Sequence, residues 1–166
     1  MHSSRRIVVT QVGSHAVRWS DSQRPRFGPA AVFPVPRQRL VIIGPEADHP
    51  VVSTMKRIAD KLGWPYLVLT DRNQWVWAIT VNKPALVVAA GRTGRSGPLD
   101  DVAELRRSYK GPIAVVDDLP AQLAVSAVVA GADTVLRPDL CDDELGARLL
   151  ALVRRTAEAP NRVPGI

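Results

Sequence analysis

A single cysteine, Cys141, stands in a chain of 166 residues. That excludes an intrachain disulfide framework and a cysteine-rich zinc site. No apolar run approaches the ~18 residues a membrane-spanning helix needs, and the continuous apolar segment of a secretory signal is missing. Neither a membrane partner nor export is expected, and the expected setting is cytoplasmic. Histidine is scarce as well. His2 and His15 precede the regular part of the chain, which leaves His49 without a partner for a Cys–His catalytic pair. What is present suits one folded domain with some chain to spare: 46% hydrophobic residues, 23% charged residues and a mean hydropathy near zero.

The net charge is +6, a value that invites a nucleic-acid reading until its distribution is considered. Residues 1–39 hold seven arginines (Arg5, Arg6, Arg18, Arg24, Arg26, Arg37 and Arg39) against one acid, Asp21. Residues 40–166 hold fifteen basic and fifteen acidic side chains and are neutral overall. The net charge of the regular part therefore gives no support to a nucleic-acid surface.

Residues 1–38 carry Pro25, Pro29, Pro34 and Pro36 and show no sustained helical period. A short strand over residues 6–12 is conceivable, since Ile7, Val8 and Val9 are β-branched. Three readings stay open: a disordered extension or an early start codon, a basic arm for nucleic acid or an acidic partner, and a targeting peptide. From residue 39 the pattern turns regular. Apolar runs at 40–43, 65–70, 84–90, 112–116 and 133–136 read as buried strands. Between and after them come amphipathic stretches ending near Gly63, after Ile79, at Arg106 and Arg107, at Ala130, and at Arg154 and Arg155. Asp71 is positioned to cap the second helix and Asp118 the fourth. Five β-then-α units predict an α/β fold, a doubly wound parallel sheet of flavodoxin-like order 2-1-3-4-5. The expected division is an extension over 1–38, a domain over 39–156 and a tail over 157–166.

In such sheets ligands gather at the carboxyl ends of the strands. Those ends carry Gly44, Pro45, Glu46, Asp48 and His49, then Ala90, Gly91 and Arg92, then Asp117 and Asp118, then Arg137 and Pro138. Over residues 39–155 the chain resembles the receiver domains of response regulators. The likeness rests on Pro-Ala-Leu-Val-Val-Ala-Ala at 84–90, Gly-Pro-Ile-Ala-Val-Val at 111–116, Gly-Ala-Asp-Thr-Val-Leu at 131–136, and a last helix opening at Glu144-Leu145 and closing on Val-Arg-Arg at 153–155.

The departures carry as much information as the matches. By the resemblance, the phosphate-accepting aspartate falls at Ala90 and the acidic pair after strand one at Gly44 and Pro45, with only Glu46 close by. The switch hydroxyl falls at Asp117, and the lysine before the strand-five proline falls at Arg137. Aspartyl phosphorylation needs a carboxylate nucleophile and a metal held by neighbouring acids. A methyl group offers neither, so the resemblance implies an atypical receiver, a pseudo-receiver that takes no phosphate at this position.

Other local signals point to rival sites. Gly91-Arg92-Thr93-Gly94-Arg95-Ser96-Gly97 joins a strand to a helix, and its amides with Arg92 and Arg95 could cradle an anion. Its G-x-x-G-x-x-G spacing matches neither the dinucleotide fingerprint nor a Walker loop. Glu46, Asp48, Asp117 and Asp118 could converge on Mg²⁺ or Ca²⁺, with Glu46 and Asp117 the weak metal candidates; solvated loop acids are the plainer reading. No cofactor is expected. Trp75 and Trp77, two apart, cannot share one face of a helix; either one faces inward and the other marks a partner surface, or a bent or short helix packs both into the core. The stretch 119–130, with Val125, Val128 and Val129, is apolar almost all round, which points to a second buried face and a subunit contact. Receiver-like proteins often pair through helix four, strand five and helix five, so the resemblance points the same way.

The function expected is a non-enzymatic regulatory module acting as a homodimer or by docking a partner protein, with transcriptional control implied by the resemblance alone. Nucleic acid would enter only through the basic arm or an output domain not in this chain. Two alternatives are a nucleotide-binding or phosphotransfer enzyme built on residues 91–97, and a receiver-like localisation module of a pilus-assembly or septum-placement ATPase.

Overall fold

A computed structural model describes residues 39–91 and 97–158, all within the compact unit that spans residues 38–166. Five strands form one parallel sheet in the order β2-β1-β3-β4-β5: β1 Leu40–Ile43, β2 Tyr66–Leu69, β3 Leu86–Ala90, β4 Ile113–Val116 and β5 Thr134–Leu136. Leu40 pairs with Tyr66 on one side and with Leu86 on the other. Val87 pairs with Ile113, and Ala114 with Thr134. The doubly wound, flavodoxin-like order is as the sequence pattern predicts.

Every residue of β1, β3 and β4 is buried, because helices cover both faces of the sheet. The period-two alternation sorts the side chains. Leu40, Ile42, Leu86, Val88, Ala90, Ala114 and Val116 meet α1 (Pro50–Leu62) and α5 (Asp142–Glu158). On the other face, Val41, Ile43 and Val87 pack with Trp75, Ala78 and Ile79 of α2 (Trp75–Asn82) and with Leu105 of α3 (Gly97–Ser108). Ala89 and Val115 close the core there with Val102 of α3 and Ala127 of α4 (Ala121–Ala130).

The helix ends follow from local chemistry. Pro50 opens α1 behind His49, and Gly63 stops it at φ 65° with its N–H bonded to Asp60 O, a left-handed position that glycine takes without a Cβ clash. Four strands start one or two residues later than the runs that predict them, and three of those runs open on a proline. Pro65, Pro84 and Pro112 have no N–H to give the ladder, yet their carbonyls are used. Leu40 N reaches Pro65 O at 3.0 Å, Val87 N reaches Pro112 O at 3.1 Å, and the Tyr109 hydroxyl reaches Pro84 O at 2.9 Å.

Two capping expectations are corrected. Asp71 accepts from Asn73 N at 3.0 Å, and so caps a 3-10 turn, Arg72–Gln74, that leads into α2. Asp118 caps nothing in α4, whose N-cap is Pro120 with no side-chain bond. Instead the Asp118 N–H donates to Asp117 Oδ1 at 2.8 Å. Asp118 stands two residues before the Pro120 cap, and that proline has no N–H of its own to offer.

Candidate functional site

The carboxyl ends of β1, β3 and β4 lie side by side, so the residues after them share one edge of the sheet. Gly44 follows β1 and donates its N–H to Leu69 O at 3.1 Å. A Cβ on Gly44 would stand 2.3 Å from Val52 Cγ2 and 3.4 Å from Ala90 O. Where a side chain would project from the end of β1, the Val52 isopropyl group of α1 already fills the space. Ala90 ends β3 fully buried, in the same apolar cluster as Val52 and Met55.

His49, which has no histidine or cysteine partner for catalysis, puts its ring to structural use. The imidazole Nδ1 accepts from Val51 N at 3.3 Å, capping α1. The same ring covers the turn after β3: a Cβ on Gly91, whose φ is 76°, would meet His49 Cε1 at 2.7 Å. Gly91 N is tied to Val116 O at 3.0 Å, so His49, Gly91 and the end of β4 form one packed corner. The sequence signal was available in retrospect, since His49 directly precedes Pro50, a favoured first residue of a helix.

Asp117 follows β4. Its N–H is bound to Leu136 O at 3.1 Å and its Oδ1 accepts from Asp118 N, while its Oδ2 has neither solvent nor a hydrogen-bond partner. Pro45 is half-buried, and Glu46 and Asp48 point into solvent. Glu46 contributes its carbonyl to His49 N at 3.3 Å. Among the described residues no three His, Cys, Asp or Glu side chains come together to hold a metal ion; Glu46, Asp48, Asp117 and Asp118 do not form such a group. Arg137 follows β5, exposed, and is held by Asp139 two residues on, Nη2–Oδ2 2.8 Å. Arg92, Gly94 and Arg95 of the glycine-rich loop lie outside the described residues; of its two ends, Gly91 closes the β3 corner and Gly97 begins α3.

Cys141 is exposed just before α5 and gives its carbonyl to Leu145 N at 3.0 Å. Beside it, Asp142 joins Arg57 of α1 through two bonds of 3.1 Å. Those hydrogen bonds, then the nearby Arg57 and Lys61 charges, hold the Asp142 carboxyl below its ordinary range.

Large hydrophobic side chains remain exposed at two places among the described residues. On α4, Val125, Val128 and Val129 are 64%, 51% and 83% exposed, and only Ala127 of that helix is buried. On α2, Trp75 turns inward at 3% exposure while Trp77 stands out at 66%, beside exposed Val76 and Val81, which selects the divided arrangement over core packing of both. No helix among the described residues is long and apolar enough to cross a membrane.

Sequence reasoning missed Asp101 and Arg106. Asp101 is 1% exposed in the second turn of α3, where acids are ordinary and attract no notice. Its spacing of four from Leu105 sets it on the apolar stripe, and that spacing was the legible sign. Arg106 stands out in the sequence only as the end of an amphipathic stretch, yet its guanidinium gathers the carbonyls of Tyr109, Gly111 and Gly131 together with the Asp133 carboxylate.

No protein-family model matches the chain, and no curated protein matches it. Solved structures do. A response-regulator signal receiver domain from Bermanella marisrubri is 21% identical and covers 69% of this chain and 97% of its own, with a TM-score of 0.59. A two-component response regulator from Clostridium difficile is 20% identical over 71% of this chain and 97% of its own, TM-score 0.62. The BeF3-activated N-terminal receiver domain of Klebsiella pneumoniae RstA is 19% identical over 70% and 99%, TM-score 0.60. The likeness is one of fold: the sheet and its five helices are those of a receiver domain.

Proposed function

We propose that this chain is a regulatory module of the receiver type that does not accept phosphate at Ala90. It works by self-association or by docking a partner protein. The observation that carries this reading is the state of the strand-end corner. Ala90 is a buried methyl, Val52 occupies the side-chain space of Gly44, and His49 lies against Gly91. A carboxylate nucleophile at position 90 would have to be desolvated in an apolar cluster, at a cost of several kcal/mol unless paired. Catalysis has no place in this reading and no cofactor is called for. The switch position holds Asp117 and the lysine position Arg137, which is turned onto Asp139.

The docking surface in this reading is the exposed valine face of α4, Val125, Val128 and Val129. A helix with no charged residue and three exposed valines is the kind of surface that association covers. A homodimer is the simplest arrangement. Transcriptional control and a cytoplasmic setting belong to the same proposal.

The experiment that tests it is a thermal melt with and without Mg²⁺ and beryllofluoride, a mimic of aspartyl phosphate, beside light scattering for mass. The expected result is an unchanged melting temperature and a dimer mass in both conditions. A Mg²⁺-dependent rise would mean that a carboxylate near Glu46 or Asp117 takes the mimic, and would overturn the reading.

A further inference from the structure

Asp101 is the one fully buried charged side chain among the described residues. One carboxylate oxygen stands 3.4 Å from Arg72 Nη1. The other has neither solvent nor a hydrogen-bond donor, an arrangement that is costly for an ionised group and far milder for a neutral one. Arg72 comes from the 3-10 turn after β2. It also binds Glu104, Nε–Oε2 2.6 Å, and lies 5.7 Å over the Trp75 ring. Two acids of α3, one turn apart, therefore share one arginine of the β2–α2 connection.

The charged side chains around Asp101 come from two elements. Its own helix supplies Asp100 and Glu104, both negative, and Arg106 and Arg107 near its end, Arg106 being paired with Asp133 and Arg107 lining the same cavity as Asp100 and Glu104; the 3-10 turn supplies Arg72. The β-strands, α2 and α4 carry no charged residue at all. Arg72 thus serves Asp101 and Glu104 together, and the more buried of the two carboxylates is the one left half-paired.

We propose that Asp101 is a proton-operated latch: uptake of a proton by its buried carboxyl group seats α3 firmly in the core, and loss of that proton loosens it. The element it acts on starts at Gly97, directly after the loop that leaves β3, so the latch biases the strand-end edge where the fold places its sites. Burial pushes the Asp101 carboxyl up to about 6; Arg72 opposes the shift, and Glu104 and Asp100 add to it. Because the folded value lies above the ordinary 3.8, the stabilisation is complete below that ordinary value and is lost as pH rises through about 6.

The test is equilibrium urea unfolding of the full chain and of Asp101→Asn between pH 5 and 7.5. A ¹³C NMR titration of the Asp101 carboxyl in the wild-type chain accompanies it. The wild-type folding constant should rise about tenfold or more from pH 7.5 to pH 5 relative to the variant, in line with the size of the shift. Any other group that titrates in this window does so in both proteins and cancels. Arg72→Met should move the Asp101 midpoint higher. Parallel pH profiles for wild type and Asp101→Asn, or an Asp101 carbon that titrates in the ordinary carboxylate range, would overturn the proposal. The NMR titration decides the matter by itself should the asparagine variant fail to fold.

Discussion

Arg106 and Asp133 meet at 2.7 Å, Nη2 to Oδ2, and the same Asp133 oxygen accepts the backbone N–H of Ile113 at 2.8 Å. One carboxylate thus ties the end of α3, the first residue of β4 and the turn into β5. Asp133→Ala would leave the Ile113 N–H without its partner and Arg106 without its counter-charge. The expected loss is about 1–3 kcal/mol, read as a lower urea midpoint. Arg106→Met should cost a similar amount, and the double variant less than the two together.

At the end of β1, Gly44→Ala should destabilise the fold by about 1–3 kcal/mol through overpacking against Val52. The same change in a Val52→Ala background should cost less, since the clashing methyl is gone. A double-mutant cycle of urea midpoints reads the coupling; strict additivity would show that Val52 does not fill the Gly44 space.

Trp75 and Trp77 should behave as opposites. Trp75→Ala removes a buried ring from the apolar cluster that holds Ile43 and Leu69 and should cost about 3–5 kcal/mol. Trp77→Ala should stay within about 0.5 kcal/mol. Thermal melts of the two variants give the comparison directly.

Val125→Glu and Val129→Glu place a charge on the uncovered face of α4. Each should leave the melting temperature of the isolated chain nearly unchanged and reduce the solution mass from dimer to monomer. An unaltered mass by light scattering would remove α4 from the docking surface.

The architecture was legible because its cause is repetitive. Ile42 and Val88 face one layer of helices, Val41 and Val87 the other, and that alternation inside wholly apolar runs marks buried parallel strands. Helix stops such as Gly63 were legible for the same local reason. The corner at Ala90 was legible only as a list of missing groups. That Val52 fills the Gly44 space, and that His49 lies on Gly91, depends on how the β1–α1 turn folds back, which no spacing encodes. Arg106 escaped notice because Tyr109, Gly111 and Gly131 offer it only carbonyl oxygens, which no residue type signals, and its one carboxylate partner, Asp133, lies 27 residues on. Glycine at 131 has a similar hidden reason, since a Cβ there would stand 2.8 Å from Arg106 Cγ.

The first and last helices of the described unit, α1 and α5, share one apolar layer: Leu145, Leu149, Leu152 and Val153 lie with Val52, Met55 and Ile58 over the same strands. During synthesis, β1 and β3 can align long before α5 exists. Until residues near 153 leave the ribosome, the sheet face that carries Ile42 and Val88 has only half its cover. An unfinished chain is therefore a sticky one, and its sojourn on the ribosome is the interval in which it most needs a chaperone or a pause.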